Sequence, residues 1–360
     1  MKGPSPNRGA GDNAVVPTRM LRAVRGGQPI EQKYIGIDLH KEFFQACAVD
    51  PQGTRMWEGR FPRTEGGLTL VQAHCGVETA IAVEATGPTW ALVDALTSSG
   101  ARICVVDPRK TRLKAGYAAK TDRLDARRLA DALRRDSVVS VYVPPPAIRE
   151  LREVCRGRHQ LVRVRTRIAQ MIRALLLRSG VADVPVRRVF SPPGLAWLEA
   201  VVLAPEAQAS LPRLRQVLVA IQAEAGGAEA RLTERASTDP IAGALDTLVG
   251  IGPVLGLTLR AEIGDIRRFR RGAELASYAG VVPRVEASAS RYWSGRITRE
   301  GAPWLRWALV EAAMHAHRRS DALGHWARQL AIRKGLFTAR IAYARRLCDE
   351  IVHVWPRAAE

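Results

Sequence analysis

The strongest constraint on the fold lies between residues 34 and 61, where three apolar, strand-like runs follow one another with short links. They are YIGIDLH (34–40), FFQACAV (43–49) and TRMWEGRF (54–61), the last introduced by the turn signal Asp50-Pro51-Gln52-Gly53. Parallel neighbours need a crossover of a dozen or more residues, so consecutive strands on links this short form an antiparallel meander. The pattern then alternates. A helix is expected over 66–76, a buried strand at TAIAVEA (79–85), a helix near 88–99, a strand at ARICVVD (101–107) and a helix starting in KTDRLDA (120–126). SVVSVYV (137–143) reads as one more strand.

A three-strand meander followed by alternating helix and strand is the layout of a ribonuclease-H-like mixed sheet, with the first and fourth strands adjacent at its centre. Asp38 then sits near the end of the first strand and Glu84 at the end of the fourth, facing the crevice where such sheets gather ligands. Asp122 and Asp125, three apart at a helix start, leave one face and can reach one point. Four converging carboxylates repel unless a cation neutralises them, and hard divalent ions such as Mg²⁺ or Mn²⁺ take oxygen ligands. Each acid also has a plain structural reading. Thr121 or Asp122 can cap the helix, Asp38 can cap a strand end, and Glu84 can be an exposed turn acid.

The charge adds a partner class. Against 35 Asp and Glu the chain carries 55 Lys and Arg, mostly Arg, a net +20 that points to a polyanion and most simply to nucleic acid. Lys120 and Arg123 flank the acids and can either contact phosphate or stay solvated. The five cysteines form no CxxC pair and no zinc spacing, and no run of about 18 apolar residues could span a bilayer. The expectation is a soluble, cytoplasmic, reduced protein with no membrane partner.

The division of the rest of the chain follows from its breaks. Residues 1–32, rich in Gly, Pro and Arg, read as a disordered basic tail, and 33–143 as the mixed-sheet domain. Pro144-Pro145-Pro146 is a stiff boundary. Beyond it, 147–236 reads as a basic helical, coiled-coil-like segment. One long helix over 147–179 carries an apolar stripe (Ile148, Leu151, Cys155, Val162, Ile168, Ile172, Leu175) that calls for a helix partner in the same chain or a second copy. Its other faces carry Arg149, Arg152, Arg156, Arg158, Arg163, Arg165, Arg167 and Arg173, with only Glu150 and Glu153 nearby along the chain; nucleic acid running along the helix is the reading, Arg163, Arg165 and Arg167 foremost. Residues 181–205 look irregular. A second helix through Leu211, Leu214, Leu218 and Ile221 should end or break at Gly226-Gly227.

A last, helical domain is expected over 240–356. Gly250 and Gly252 of GIGP resemble a helix-hairpin-helix turn, whose backbone N–H groups meet phosphate, although many helix junctions use Gly in the same way. Between two helices lies a loop of small and polar residues holding Ser288, Ser290 and Ser294 beside Arg284, Arg291, Arg296 and Arg299.

GIDLHKE (36–42), VEATGPTW (83–90), the DP of VVDPRK (105–110) and KTDRLDARRLA (120–130) resemble the RuvC-like domain of DEDD transposases, the insertion-sequence-110 family with its Piv-type invertase relatives. The run from AGVVP through GRITREG to WLR resembles that family's carboxy-terminal domain. The resemblance implies that Asp38, Glu84, Asp122 and Asp125 are the acidic metal ligands and that Ser288 is the nucleophile, with Ser290 as its substitute because Ser288-Ala289 stands where Ser-Gly is usual. It implies donor and target DNA as substrates, a non-coding bridge RNA, a homo-oligomer (dimer or tetramer) and a nucleoid-associated bacterial setting; Arg284 and Arg296, beside the serines, are the loop's candidates for contact with nucleic acid. Two rivals use the same residues: a junction-resolving nuclease that hydrolyses with the four acids, and a non-catalytic nucleic-acid binder.

Overall fold

The computed structural model describes residues 32–87, 89–107, 111, 121–181, 184–288 and 291–359. The tail expected over 1–32, apart from Gln32, lies outside the described residues, as do Lys120 and Ser290. The chain forms two compact units, one ending at Val143 and the other starting at Pro144.

In the first unit β1 (Lys33–Leu39), β2 (Phe43–Val49) and β3 (Arg55–Pro62) form the antiparallel meander. Then β4 (Thr79–Glu84) pairs in parallel with β1, and β5 (Arg102–Val106) in parallel with β4, giving the order β3-β2-β1-β4-β5. The sheet is mixed, with the first and fourth strands adjacent, as expected of a ribonuclease-H-like layout. Among the described residues three helices accompany it: α1 (Glu65–Gln72), α2 (Thr89–Thr97) and α3 (Asp122–Arg134).

Strand alternation gives the two faces of the sheet different work. Ile35, Ile37, Phe44, Ile81 and Val83 pack with Val71 of α1 and Leu92, Val93 and Leu96 of α2 into one buried core. On the opposite face Gly36, Ala80 and Ala82 leave room for α3, whose Leu129 and Leu133 are buried there. A Cβ on Gly36 would stand 2.0 Å from the Ala126 carbonyl oxygen and 2.4 Å from the Ala130 nitrogen, so the helix backbone lies directly on β1. The expected strand over 137–143 is not formed: Ser140 makes one isolated bridge to Val106, while Val139 N–H is taken by the Thr111 hydroxyl at 3.0 Å. The side-chain hydroxyl diverts the backbone donor that a ladder would need.

The second unit is helical apart from one ribbon. It contains α4 (Pro146–Arg178), α5 (Pro192–Ala200), α6 (Pro205–Ser237), α7 (Pro240–Asp246), α8 (Pro253–Ile263), α9 (Gly272–Ala279), α10 (Pro303–Ala313), α11 (Ala322–Lys334) and α12 (Leu336–Ala359). Between α9 and α10 stand β6 (Pro283–Ser288) and β7 (Arg291–Ile297). The apolar stripe of α4 finds its partner within the chain: Ile172 and Leu176 pack with Leu198, Leu211 and Leu218, and Leu151 and Cys155 pack with Leu232, Leu257 and Ala261. A separate core joins α8, α9, α10 and α12 through Leu259, Leu275, Leu305, Leu309, Tyr343 and Leu347.

Two expectations are corrected here. Residues 181–205 include the helix α5, started by Pro192 at its first turn, where proline lacks only a donor the helix does not use. And α6 runs through Gly226-Gly227 without a break. Each glycine costs about 1 kcal/mol against alanine in a helix, but both lie on the exposed side while Ala225, Ala228 and Leu232 are buried around them.

The sheet–helix contact is directly testable. Gly36→Ala should cost about 2 kcal/mol or more, because the added methyl meets helix backbone that cannot yield without moving α3. Gly66→Ala, at an exposed helical site with open space around it, should leave stability unchanged or raise it by up to about 1 kcal/mol. Urea melts of the two proteins make the comparison.

Candidate active site and nucleic-acid contacts

The first turn of α3 is capped by Thr121, whose Oγ1 accepts from Leu124 N–H at 3.4 Å. Asp122 is thereby released from capping, and its carboxylate faces the end of β1. There His40 Nε2 lies 3.1 Å from Asp38 Oδ2 and 3.4 Å from Asp122 Oδ1. The imidazole is held by the tight β1–β2 link, where His40 N–H donates to the Phe43 carbonyl at 2.9 Å. Its ring stacks on Phe43 at 4.5 Å between centroids, and the Arg60 guanidinium lies 3.5 Å over that same phenyl ring.

Asp38 is half-buried, and burial pushes its carboxyl above the usual carboxylate range. His40 pulls it back by charge and hydrogen bond, whereas the charges of Asp122 and Asp125 push it further up. Asp38, His40 and Asp122 offer ligand atoms all within 4.8 Å of one another, among the described residues. Two carboxylate oxygens and one imidazole nitrogen suit a divalent cation, and the nitrogen favours Mn²⁺ over Mg²⁺.

The other two acids stand differently. Ile37 pairs with Val83, so the next residues, Asp38 and Glu84, occupy the same level and face of neighbouring parallel strands. Glu84 also fixes the following turn, its carbonyl accepting from the Thr89 hydroxyl at 2.8 Å. Asp125 is engaged by Arg128 at 3.2 Å. Neither belongs to the tight group of three. His40 is the functional candidate to which the sequence reading gave no role; its signal was its place in GIDLHKE, two residues beyond Asp38 and so on the same side of an extended chain.

In the second unit the expected serine loop is a two-stranded antiparallel ribbon, and Ser288 pairs with Arg291 at its end. The reason is legible afterwards: Val285 on one strand, and Tyr292 and Trp293 on the other, favour extended backbone over a small-residue loop. Arg284 sits at an irregularity in the register, and both it and Arg296 are exposed. Gly250, with φ of 95°, lies where a Cβ would stand 2.3 Å from the Ala312 carbonyl oxygen, so close packing on α10 already explains it. Gly252 precedes α8 with open space where its side chain would be.

Residues 35–180 match the IS110 DEDD transposase family, and residues 242–327 match the transposase family IS116/IS110/IS902. The chain belongs to the IS110/IS116/IS902 family of transposases. It is 26% identical over 328 residues to the transposase for insertion sequence element IS1111A of Coxiella burnetii, covering 87% of each chain. A probable family 20 transposase of Pseudomonas aeruginosa is 26% identical over 324 residues, 87% of this chain and 93% of its own. The transposase for IS1328 of Yersinia enterocolitica is 25% identical, over 78% of this chain and 82% of its own. The first match spans all four acids and His40; the second spans the ribbon and Gly250.

The cations of this transposase divide into two groups. Arg156 clasps the buried Glu262 through both carboxylate oxygens at 2.8 and 2.9 Å, and Arg152 donates to the Ala261 carbonyl at 2.7 Å and the Glu262 carbonyl at 2.9 Å. Arg158 pairs with Glu229 at 2.6 Å, and Arg123, in the first unit, with Glu58 at 3.1 Å. These four are engaged in the fold. Arg163, Arg165 and Arg167 make no ion pair among the described residues, and Arg163 and Arg167 are exposed. No helix of the described residues is long and apolar enough to cross a membrane.

Two measurements follow from this geometry. Mn²⁺ at 100 times its Kd should stabilise the fold by about 2.7 kcal/mol, and His40→Ala or Asp122→Asn should shrink that gain in a thermal titration. An equal gain in His40→Ala protein would remove the imidazole from the ligand set. Separately, Arg163→Gln, Arg165→Gln and Arg167→Gln together should lower the slope of log affinity against log salt by up to about 3, whereas Arg158→Gln should leave it unchanged.

Proposed function

We propose that this chain cuts and rejoins DNA as the transposase of an insertion sequence, using the acids of the first unit and Ser288 of the second. The observation that carries the reading is the gathering of Asp38, His40 and Asp122 at the end of β1, with Glu84 level on the parallel neighbour, in a chain whose family is that of transposases. Asp38, Glu84, Asp122 and Asp125 are the residues that would hold Mg²⁺ or Mn²⁺, with His40 beside them. Such an ion, when bound, neutralises charge on the scissile phosphate and polarises its oxygens.

Ser288 is the nucleophile in this reading. Its oxygen forms a bond to phosphorus while the bond from phosphorus to the leaving strand's oxygen breaks, and the hydroxyl proton leaves with the departing alkoxide. The phosphoserine link keeps the energy of the broken bond, so a second strand's hydroxyl can displace serine without an external energy source. Arg284 and Arg296 pair with phosphate oxygens in this reading, which their exposure supports. Gly250 and Gly252 offer backbone donors in a helix-hairpin-helix manner. The unpaired Arg163, Arg165 and Arg167 suit a bridge RNA or DNA, and the division into 33–143, 147–236 and 240–356 assigns catalysis, nucleic-acid holding and strand transfer in turn. Assembly as a dimer or tetramer completes the proposal.

A suicide DNA substrate tests it. Wild-type protein should give a covalent protein–DNA adduct, and Ser288→Ala and Asp122→Asn should each lower adduct by at least about a thousandfold while still binding DNA. Cleavage without adduct would mean hydrolysis by the acids, the junction-nuclease reading. An adduct in Ser288→Ala but not in Ser290→Ala protein would move the nucleophile two residues along.

A further inference from the structure

The joint between α11 and α12 combines two features that rarely share a surface. Every residue from 332 to 338 is exposed, including Ile332 at 78%, Leu336 at 53% and Phe337 at 80%. Large apolar side chains exposed next to one another in the chain mark a candidate contact surface. The second feature is charge. Between Asp321 and Asp349 the chain holds six Lys and Arg and no Asp or Glu. Of these, Arg333 and Lys334 flank the apolar residues directly and make no ion pair among the described residues. Arg340 reaches back over the Phe337 ring, 5.8 Å from its centroid.

The joint itself is narrow. One residue, Gly335, separates the end of α11 from the start of α12, and the two helices pack against each other below it. The support is firm: Arg319 pairs with Asp321 and, at 2.9 Å, with Glu350, fastening the start of α11 to α12. Arg328 donates to the Arg319 carbonyl at 2.7 Å, closing the same corner. An apolar knuckle is therefore presented on a rigid base and ringed by cations.

We propose that this knuckle is a DNA-deforming wedge: Phe337 and Leu336 enter a base step of duplex DNA while Arg333, Lys334 and Arg340 hold the adjoining phosphates. Apolar side chains that part a base step at the cost of stacking, compensated by a bent duplex that meets more protein, are a known device of architectural proteins. Charge decides between DNA and a second copy of this chain, since apposing two such tips would set like charges against one another. The absence of acids across the whole joint suits a polyanion along its full length. The wedge lies beyond residue 327, where the second family match ends.

The wedge takes DNA as partner, as the transposase reading does, but its test needs no strand cleavage and so fails or succeeds separately. Full-length protein in EDTA is titrated onto a short mixed-sequence duplex carrying 2-aminopurine and a donor–acceptor pair at its ends. Wild-type protein should raise the 2-aminopurine emission and shorten the end-to-end distance. Phe337→Ala should abolish both and weaken binding roughly tenfold, as the loss of one buried aromatic predicts, with Phe337→Leu restoring part of each. Arg333→Gln with Lys334→Gln should lower the salt slope by about 2 while keeping the emission change at saturation. Circular dichroism checks that each variant is folded, which exposure at this site favours. The proposal is overturned if folded Phe337→Ala protein unstacks and bends DNA as wild type does. It is equally overturned if the substitution changes only the sedimenting assembly, or weakens binding to an RNA duplex as much as to DNA.

Discussion

The candidate active site depends on how closely α3 can approach β1. A hydrogen atom at Gly36 and methyl groups at Ala80 and Ala82 let the helix backbone touch the sheet, and nothing larger would fit at Gly36. That approach fixes where the helix begins relative to the end of the strand. With Gly36 under Ala126, the residue two further along β1, Asp38, and the residue four earlier on the helix, Asp122, both lie at the same end of the contact. His40 then fits between their carboxylates at hydrogen-bonding distance. An electrostatic cluster is thus set by a steric fact two residues away, and the same packing half-buries Asp38, so that its carboxyl holds its proton more tightly than in water.

The second unit is organised around a different kind of contact. Glu262, 2% exposed at the end of α8, is enclosed by Arg156 and lies 4.0 Å from Arg152. A buried carboxylate with both oxygens paired tolerates no loss of its partner, so the register of α4 against α8 is held by charge as well as by Leu151, Cys155 and Leu257. His159 extends the same seam, set edge-on against Trp304 and Trp307 of α10, with burial and the charges of Arg163 and Arg158 holding it below the usual histidine range.

How much of this could be read in the sequence follows the range of the forces involved. The meander was legible because links too short for a crossover dictate antiparallel pairing, and the adjacency of β1 and β4 followed from the layout that the alternating pattern suggested. Asp38 and Glu84 were legible as strand-end acids, while their level match comes from the register of the parallel pair. His40 was not singled out, because nothing local distinguishes an imidazole that bridges two carboxylates from one that is merely solvated. The ribbon at Ser288 was hidden by its small residues, which say little about backbone until Tyr292 and Trp293 are weighed with them. Gly226-Gly227 misled because a propensity of about 1 kcal/mol per residue is outweighed by tertiary burial on the helix's other face. The strand expected over 137–143 is reduced to one bridge, Ser140 to Val106, with Val139 N–H turned to the hydroxyl of Thr111, remote in sequence.

Net charge illustrates the same limit more sharply. A surplus of +20 invites the inference that arginines along one helix all meet nucleic acid. On α4 they do not: Arg152, Arg156 and Arg158 answer Glu262 and Glu229, acids more than seventy residues away in the chain, while Arg163, Arg165 and Arg167 answer none among the described residues. The first group must stay or the helix packing loses a buried partner; the second group can be neutralised with little cost to the fold. Composition therefore identifies the class of partner, but only the positions of the acids identify which cations are left for it. The stretch between Asp321 and Asp349 holds no acid of its own, and the same test applies there: Arg319, at its edge, answers Glu350, while Arg333 and Lys334 answer no acid among the described residues. Cations left without an acid by the fold, rather than the richest runs of arginine, are where a basic chain offers a surface for phosphate.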